Sequence, residues 1–251
     1  MAAMGDERAA LRAALLYEQP RTVNRGRMEI VEAQLVGVLE RGIVGAVVEL
    51  GCFRGAMTAW MRAVIDAHDS RRPDKEVHTF DAFEGLPPPG PYDSGYLRTG
   101  EFTGAVGDVL VLHDRFGLAR PHIHAGWLAD TLPHGLPERI AFAYLDADRY
   151  DSTLTGLKAC VPRLAPGAVL VLDDYADPCA VPGGEITAQP KAPGVLAACR
   201  EYFGEARLPR VVSTAAAGSL GLGLHRADDV NLPRPGRAPG QPRTDREEPA
   251  R

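Results

Sequence analysis

A chain of 251 residues, 45% hydrophobic and with a formal net charge of −5, can bury one good core but has no basic run long enough to track phosphates. That weighs against nucleic acid as a partner and for a small, uncharged substrate. The longest apolar runs are strand-sized, short of the ~20 residues a membrane span needs, which leaves no membrane partner to expect.

Four cysteines, Cys52, Cys160, Cys179 and Cys199, lack CxxC spacing, and no charged leader with an apolar core opens the chain. A cytoplasmic protein with free thiols is expected. In chain order, Arg8 to Tyr17 is rich in alanine and leucine. Ile30, Val31, Leu35, Val38 and Leu39 then recur at helical spacing between Met28 and Leu39, so two helices precede the first strand. Strand, helix and strand follow at Ala46 to Leu50, Ala56 to Ala67 and Glu76 to Asp81, the alternation of a doubly wound α/β sheet. Prolines and glycines from Glu84 to Thr99 mark a loop, Gly104 to Phe116 is helical again, and Pro121 to Ala125 is a weak strand. Ile140 to Leu145 and Ala168 to Leu172 are strong strands, joined by a helix over Ser152 to Arg163 that stops before Pro166-Gly167.

Asp177 to Pro193 is long, carries several prolines and has few apolar residues, the composition of a functional lid. A helix from Gly194 to Phe203 and two β-runs, Arg210 to Ser213 and Ser219 to His225, close the fold, the last two suited to an antiparallel hairpin at the sheet edge. Residues 1–45 thus read as a helical extension or lid, 46–228 as one domain, and 229–251 as a disordered tail.

Two places carry chemistry. The first is the turn Glu49-Leu50-Gly51-Cys52-Phe53-Arg54-Gly55, between a strand and a helix, where glycine lets a ligand approach the backbone. Its spacing is neither the dinucleotide fingerprint nor a phosphate-binding loop with its lysine, so it suits a nucleotide-like ligand without a pyrophosphate. Asp81 ends the next strand, where a carboxylate can accept both hydroxyls of a ribose. S-adenosylmethionine, with a ribose, an adenine and an amino-acid tail but no phosphate, fits both features.

The second is a pair of acidic clusters, Asp146-Ala147-Asp148 and Asp173-Asp174, each after an apolar run. Neighbouring parallel strands lie roughly 5 Å apart, so these carboxylates would repel one another unless a divalent cation sat among them. Oxygen ligands suit Mg²⁺ first, then Mn²⁺ or Ca²⁺. Adjacent residues on a strand face opposite ways, so Asp173 and Asp174 share an ion only if the chain is already turning into the loop. Asp148 has a competing role as an acid at a helix start. The seven histidines form no nucleophile motif. His124 and Trp127, flanking Gly126 after the weak strand, stand out because that strand end faces the same crevice, and Trp127 reads as either core or a wall on the cofactor's side.

These segments, with Asp81 to Pro87, Gly126 to Pro133, Leu145 to Thr153 and Asp173-Asp174-Tyr175, together resemble the macrocin O-methyltransferase family over about residues 20–205. The resemblance implies a Rossmann-like class I fold with a mostly parallel seven-stranded sheet. It also implies an S-adenosylmethionine- and Mg²⁺-dependent enzyme that methylates sugar hydroxyls in antibiotic biosynthesis, with a glycosylated small molecule as partner. By the same resemblance Glu49, Gly51 and the turn to Gly55 hold the methionine tail, Asp81 the ribose, and Gly126 and Trp127 the cofactor's side. Asp146, Asp173 and Asp174 are metal ligands, and Asp146 is the general base with Asp148 its rival.

A homo-oligomer, dimer or higher, is expected through the N-terminal helices. The family usually places tryptophan where this chain has Phe53, and a Cys-Arg helix entry where it has the 177–193 insert. Two other readings stay open from the residues: a nucleotide-sugar glycosyltransferase using Asp146-Ala147-Asp148 as its metal motif, and a cofactor-binding protein without catalysis.

Overall fold

Strand Ala46–Leu50 is buried at every position, which requires cover on both faces, and helices supply it. The computed structural model describes residues 2–69, 75–177, 185–213 and 221–227, with side chains from residue 7 onward except at 69. Two helices, α1 (Ala2–Glu18) and α2 (Arg25–Glu40), lead into β1 (Ala46–Leu50), α3 (Ala56–Asp69) and β2 (Val77–Asp81). Then come α4 (Val106–Arg115), β3 (His122–Ala125), α5 (Leu128–Gly135), β4 (Ile140–Leu145), α6 (Tyr150–Cys160) and β5 (Leu164–Ala176). The described chain closes with α7 (Pro193–Phe203), β6 (Arg210–Val212) and β7 (Gly221–Arg226).

The seven strands form one sheet in the order β3-β2-β1-β4-β5-β7-β6. Pairing is parallel from β3 to β5, and β7 lies antiparallel between β5 and β6. The expected terminal hairpin is therefore present, with its second strand inserted inside the edge.

Strand alternation sorts the core into two layers. Val47, Phe142, Tyr144, Val169 and Val171 face α1 to α4, whereas Val48, Leu50, Ala143, Leu145, Leu170 and Leu172 face α5 to α7. The N-terminal helices belong to the first layer: Leu11, Leu15, Met28, Val31 and Leu35 are buried, and the Trp60 indole donates to the Met28 carbonyl at 3.1 Å. Among the described residues no helix is long and apolar enough to cross a membrane.

Three elements differ from expectation. Helix α5 starts directly after Trp127 and contains Pro133, a residue that reads as a helix stop but falls late enough for the first turn to form. Strand β5 runs on through the acids to Ala176, with a register irregularity against β7 between Leu172 and Ala176. The 177–193 insert is described only in part. Its 178–184 stretch, Cys179 within it, Ser219 and the 229–251 tail lie outside the described residues, and with them the lid and disorder expectations.

The order reverses between β1 and β4, the place where open α/β sheets leave a crevice beyond the carboxyl ends of their strands. The glycine turn follows β1 and the first acidic cluster follows β4, so topology alone brings them together.

Candidate functional site

A cleft of 490 Å³ opens at that reversal. Its floor is Glu49, Gly51, Asp81 and Asp146, and its walls come from residues 20–27, from the loop after β2 through Tyr96, Leu97 and Phe102, and from Trp127, Ser152 and Lys191. Half of it is built from the glycine turn. Gly51 has φ +83° and donates its N–H to the Phe80 carbonyl at 2.8 Å, and a Cβ there would collide with the Asp146 carbonyl. Gly51→Ala is expected to lower stability by at least ~1–3 kcal/mol through this clash and the left-handed backbone, read as a lower urea midpoint at unchanged m-value.

Asp81 braces the turn. One carboxylate oxygen accepts the Cys52 and Phe53 N–H groups at 2.8 Å each, the other accepts Phe83 N–H at 2.7 Å. Burial pushes its pKa up against the pull of these bonds. The oxygen that accepts Phe83 N–H keeps a second lone pair, so a ligand hydroxyl can still be accepted there. Gly55 turns away from the cleft, packing at φ +81° on Val109 of α4. Gly126, at φ +138°, donates to the Asp81 carbonyl at 2.9 Å and delivers Trp127 to the cleft wall, 38% exposed. His124 is not in the crevice. Its ring stacks on Phe80 at 4.2 Å between centroids, and it meets His78.

Glu49 is 1% exposed, and its partners are hydroxyls: Thr79 at 3.0 Å and Thr58. Among the described residues no basic group pairs with it, and burial raises its pKa from 4.5 to about 8. A buried carboxyl lacking a cation at the floor of a cleft fits a ligand ammonium such as the amino-acid tail of S-adenosylmethionine.

The sign of the pH effect follows. Between pH 4.5 and about 8 the native state keeps a proton that the unfolded chain has lost, so stability is full at the acid end and falls as pH rises through this window. Glu49→Gln should flatten that fall, and it should make the ligand-free protein more stable at pH 8, as scored by thermal unfolding across the window.

The other half of the cleft is acidic. Ligand oxygens of Asp146, Asp148 and Asp174 lie within 4.8 Å of one another. Asp148 and Asp174 both hold left-handed backbone, φ +56° and +49°, a conformation more open to aspartate than to most residues. Asp148 is free to turn inward because Asp93, not Asp148, accepts the first N–H of α6, Tyr150 N–H at 2.9 Å.

The expected set is thus rearranged: Asp148 joins, and Asp173 points elsewhere. Asp174 sits in left-handed backbone at the irregularity of β5, so strict alternation fails there: both acids reach Arg27, but only Asp174 converges with Asp146 and Asp148. Asp173 is fully buried against Arg27 Nη2 at 2.9 Å and accepts the Tyr144 hydroxyl.

Burial, then repulsion from Asp173, raises the pKa of Asp146, of Asp174 and, to about 6, of Asp148. A set of converging carboxyls that burial and mutual repulsion hold back from ionising, made only of hard oxygen donors, fits Mg²⁺ or Mn²⁺.

Arg27 was invisible to sequence reasoning. It is buried on the first turn of α2, where Asn24 Oδ1 caps its N–H at 2.9 Å, and Nη2 also reaches Asp174 at 3.3 Å. Burial opposes its charge, but Asp173 and then Tyr144 and Asp174 hold it firmly protonated. Arg149, also buried, was missed as well: its Nη2 donates to the Leu97 carbonyl at 2.8 Å and holds the wall loop down.

Residues 19–184 match the family model described as Macrocin-O-methyltransferase (TylF). The chain is 34% identical over 159 residues to the 8-demethyl-8-(2,3-dimethoxy-alpha-L-rhamnosyl)-tetracenomycin-C 4'-O-methyltransferase of Streptomyces olivaceus, covering 60% of each chain. It is 29% identical over 163 residues to the mycinamicin III 3''-O-methyltransferase of Micromonospora griseorubida, covering 61% of this chain and 63% of that one. The chain therefore spans about three fifths of the length of these relatives. Among solved structures, the O-methyltransferase NovP superposes with a TM-score of 0.64 at 22% identity, covering 81% of this chain and 80% of that one.

Proposed function

The chain belongs to the macrocin O-methyltransferase family, and from that premise we propose that it transfers the methyl group of S-adenosylmethionine to a sugar hydroxyl of a glycosylated natural product. A divalent cation, Mg²⁺ first, would be held by Asp146, Asp148 and Asp174. The observation that carries this reading is one cleft holding both the Glu49 to Gly55 turn and three converging carboxylates.

When bound, the sulfonium supplies an electrophilic methyl, and the dication supplies a Lewis acid for a hydroxyl that is too weak an acid to lose its proton unaided. The chain's own residues do the rest. Glu49 anchors the ammonium of the amino-acid tail, Gly51 gives backbone access, and Asp81 accepts a ribose hydroxyl on the oxygen with a free lone pair while bracing the turn. Trp127 covers the cofactor's side. Asp146 or Asp148 would take the acceptor hydroxyl's proton as the methyl–oxygen bond forms and the methyl–sulfur bond breaks, S-adenosylhomocysteine leaving as the neutral thioether. Residues 20–27 and the wall loop shield this from water, the role expected of the N-terminal extension.

Binding the ammonium converts a neutral Glu49 into a carboxylate. Cofactor binding at pH 7 should therefore release a fraction of a proton, read by calorimetry in buffers of different ionisation enthalpy, and Glu49→Gln should abolish that dependence and weaken binding at least ~10-fold. Buffer-independent heats in the native protein would remove Glu49 from the cofactor site. The reading as a whole is tested by assaying methyl gain on glycosylated acceptors: full activity in chelator-treated protein would discard the metal, and no S-adenosylhomocysteine binding would discard the reaction.

A further inference from the structure

At the opposite end of the sheet from the cleft, Glu76, His78 and His122 meet at the amino ends of β2 and β3. Asp81, where β2 reaches the cleft, is three residues beyond His78, about 10 Å away at strand rise. Parallel pairing sets His78 beside His122, and their rings stack with centroids 4.5 Å apart. One carboxylate faces both: Glu76 Oε2 is 3.4 Å from His78 Nε2, and Oε1 is 3.8 Å from His122 Nε2. A ligand atom from each of the three lies within 4.8 Å of the others. Donors about 2.0–2.1 Å from a tetrahedral zinc stand roughly 3.3 Å apart, so this triad is near coordination spacing before any ion arrives.

A second observation concerns the far side of the same imidazole. His78 Nδ1 is 3.1 Å from His124 Nε2. His124 is itself fixed, stacked on Phe80 and pressed against Gly135, where any side chain would strike its ring. A partner on the distal nitrogen is what orients and polarises a metal-bound histidine. If His78 Nδ1–H donates to His124, the Nε2 lone pair of His78 faces a carboxylate oxygen, a clash of two acceptors that a cation between them resolves.

We propose that Glu76, His78 and His122 form a second metal site, separate from the cleft, for a transition-metal dication with zinc foremost. Two imidazoles and one carboxylate, with solvent in the fourth position, suit zinc, whereas the all-oxygen cluster in the cleft suits magnesium. The ion ties the start of β2 to edge strand β3.

Stripped full-length protein titrated with Co²⁺ in excess Mg²⁺, which saturates the oxygen cluster, is the test. One equivalent of Co²⁺ should give the intense visible absorption of a tetrahedral site, displaced by Zn²⁺. His122→Gln, at an exposed edge position, and Glu76→Gln should each weaken Co²⁺ binding at least ~10-fold with circular dichroism and methyl transfer unchanged. Absence of the band overturns the proposal. So does a band untouched by both substitutions, or only a weak octahedral spectrum that Asp148→Asn removes.

Discussion

Asp146→Asn is expected to reduce methyl transfer by at least ~10²-fold while leaving S-adenosylhomocysteine affinity within a few-fold. The substitution keeps the volume and one oxygen but deletes a charge from a cluster whose three members lie within 4.8 Å of each other. The cofactor half does not depend on that charge: the Asp146 backbone, which Gly51 abuts, and the Asp81 bonds to Cys52 and Phe53 are untouched. Asp148→Asn should behave alike in activity, and the pair then separates ligand from base. The variant that loses Mn²⁺ affinity identifies a ligand, and the one that keeps metal but loses rate identifies the base, by paramagnetic titration beside single-turnover rates. Equal loss of cofactor binding in both would mean that the cleft is not divided as described.

The second large effect is on stability. Arg27→Met should cost ~3–5 kcal/mol, because Asp173 has no exposed surface and would be left as an uncompensated buried charge. Adding Asp173→Asn should recover most of it, since the double variant no longer buries an orphan. Tyr144, whose hydroxyl donates to the same carboxylate, keeps a partner in either background. Urea unfolding of the four proteins gives the coupling, and strict additivity would show that Arg27 and Asp173 do not act as a pair. The same arginine reaches Asp174, so the N-terminal helices are joined to the acidic cluster.

Much of this was readable before any fold was in view. Strand β4 and the Ala168–Leu172 part of β5 announce themselves as unbroken apolar runs and β1 as one broken only by Glu49, and β1 and β4 each hand the chain to a chemically loaded turn. The glycine at position 51 marks the close approach to β4. What the sequence hid depends on distance and on local competition. Arg27 lies 147 positions from Asp174, and no spacing rule links an arginine in a helix start to an acid in a strand.

Asp148 was hard to place because its fate turns on Asp93, a loop residue that takes the helix-start role instead. Asp173 stays out of the convergence because β5 continues to Ala176 and its carboxylate is taken by Arg27 and Tyr144, a pairing that no sequence spacing shows. The histidines of β2 and β3 looked scattered because parallel pairing, not sequence proximity, makes neighbours of positions 78 and 122.

Metal-assisted methylation of a sugar hydroxyl in the cleft between β1 and β4 is decided by mass spectrometry of glycosylated acceptors incubated with the protein and S-adenosylmethionine, with Mg²⁺ restored to chelator-treated protein or withheld. Methyl gain located on the sugar by fragmentation, present with Mg²⁺ and absent without it, is the predicted result. Methyl gain on the aglycone alone, or on the sugar at the same rate with chelator present, would contradict it.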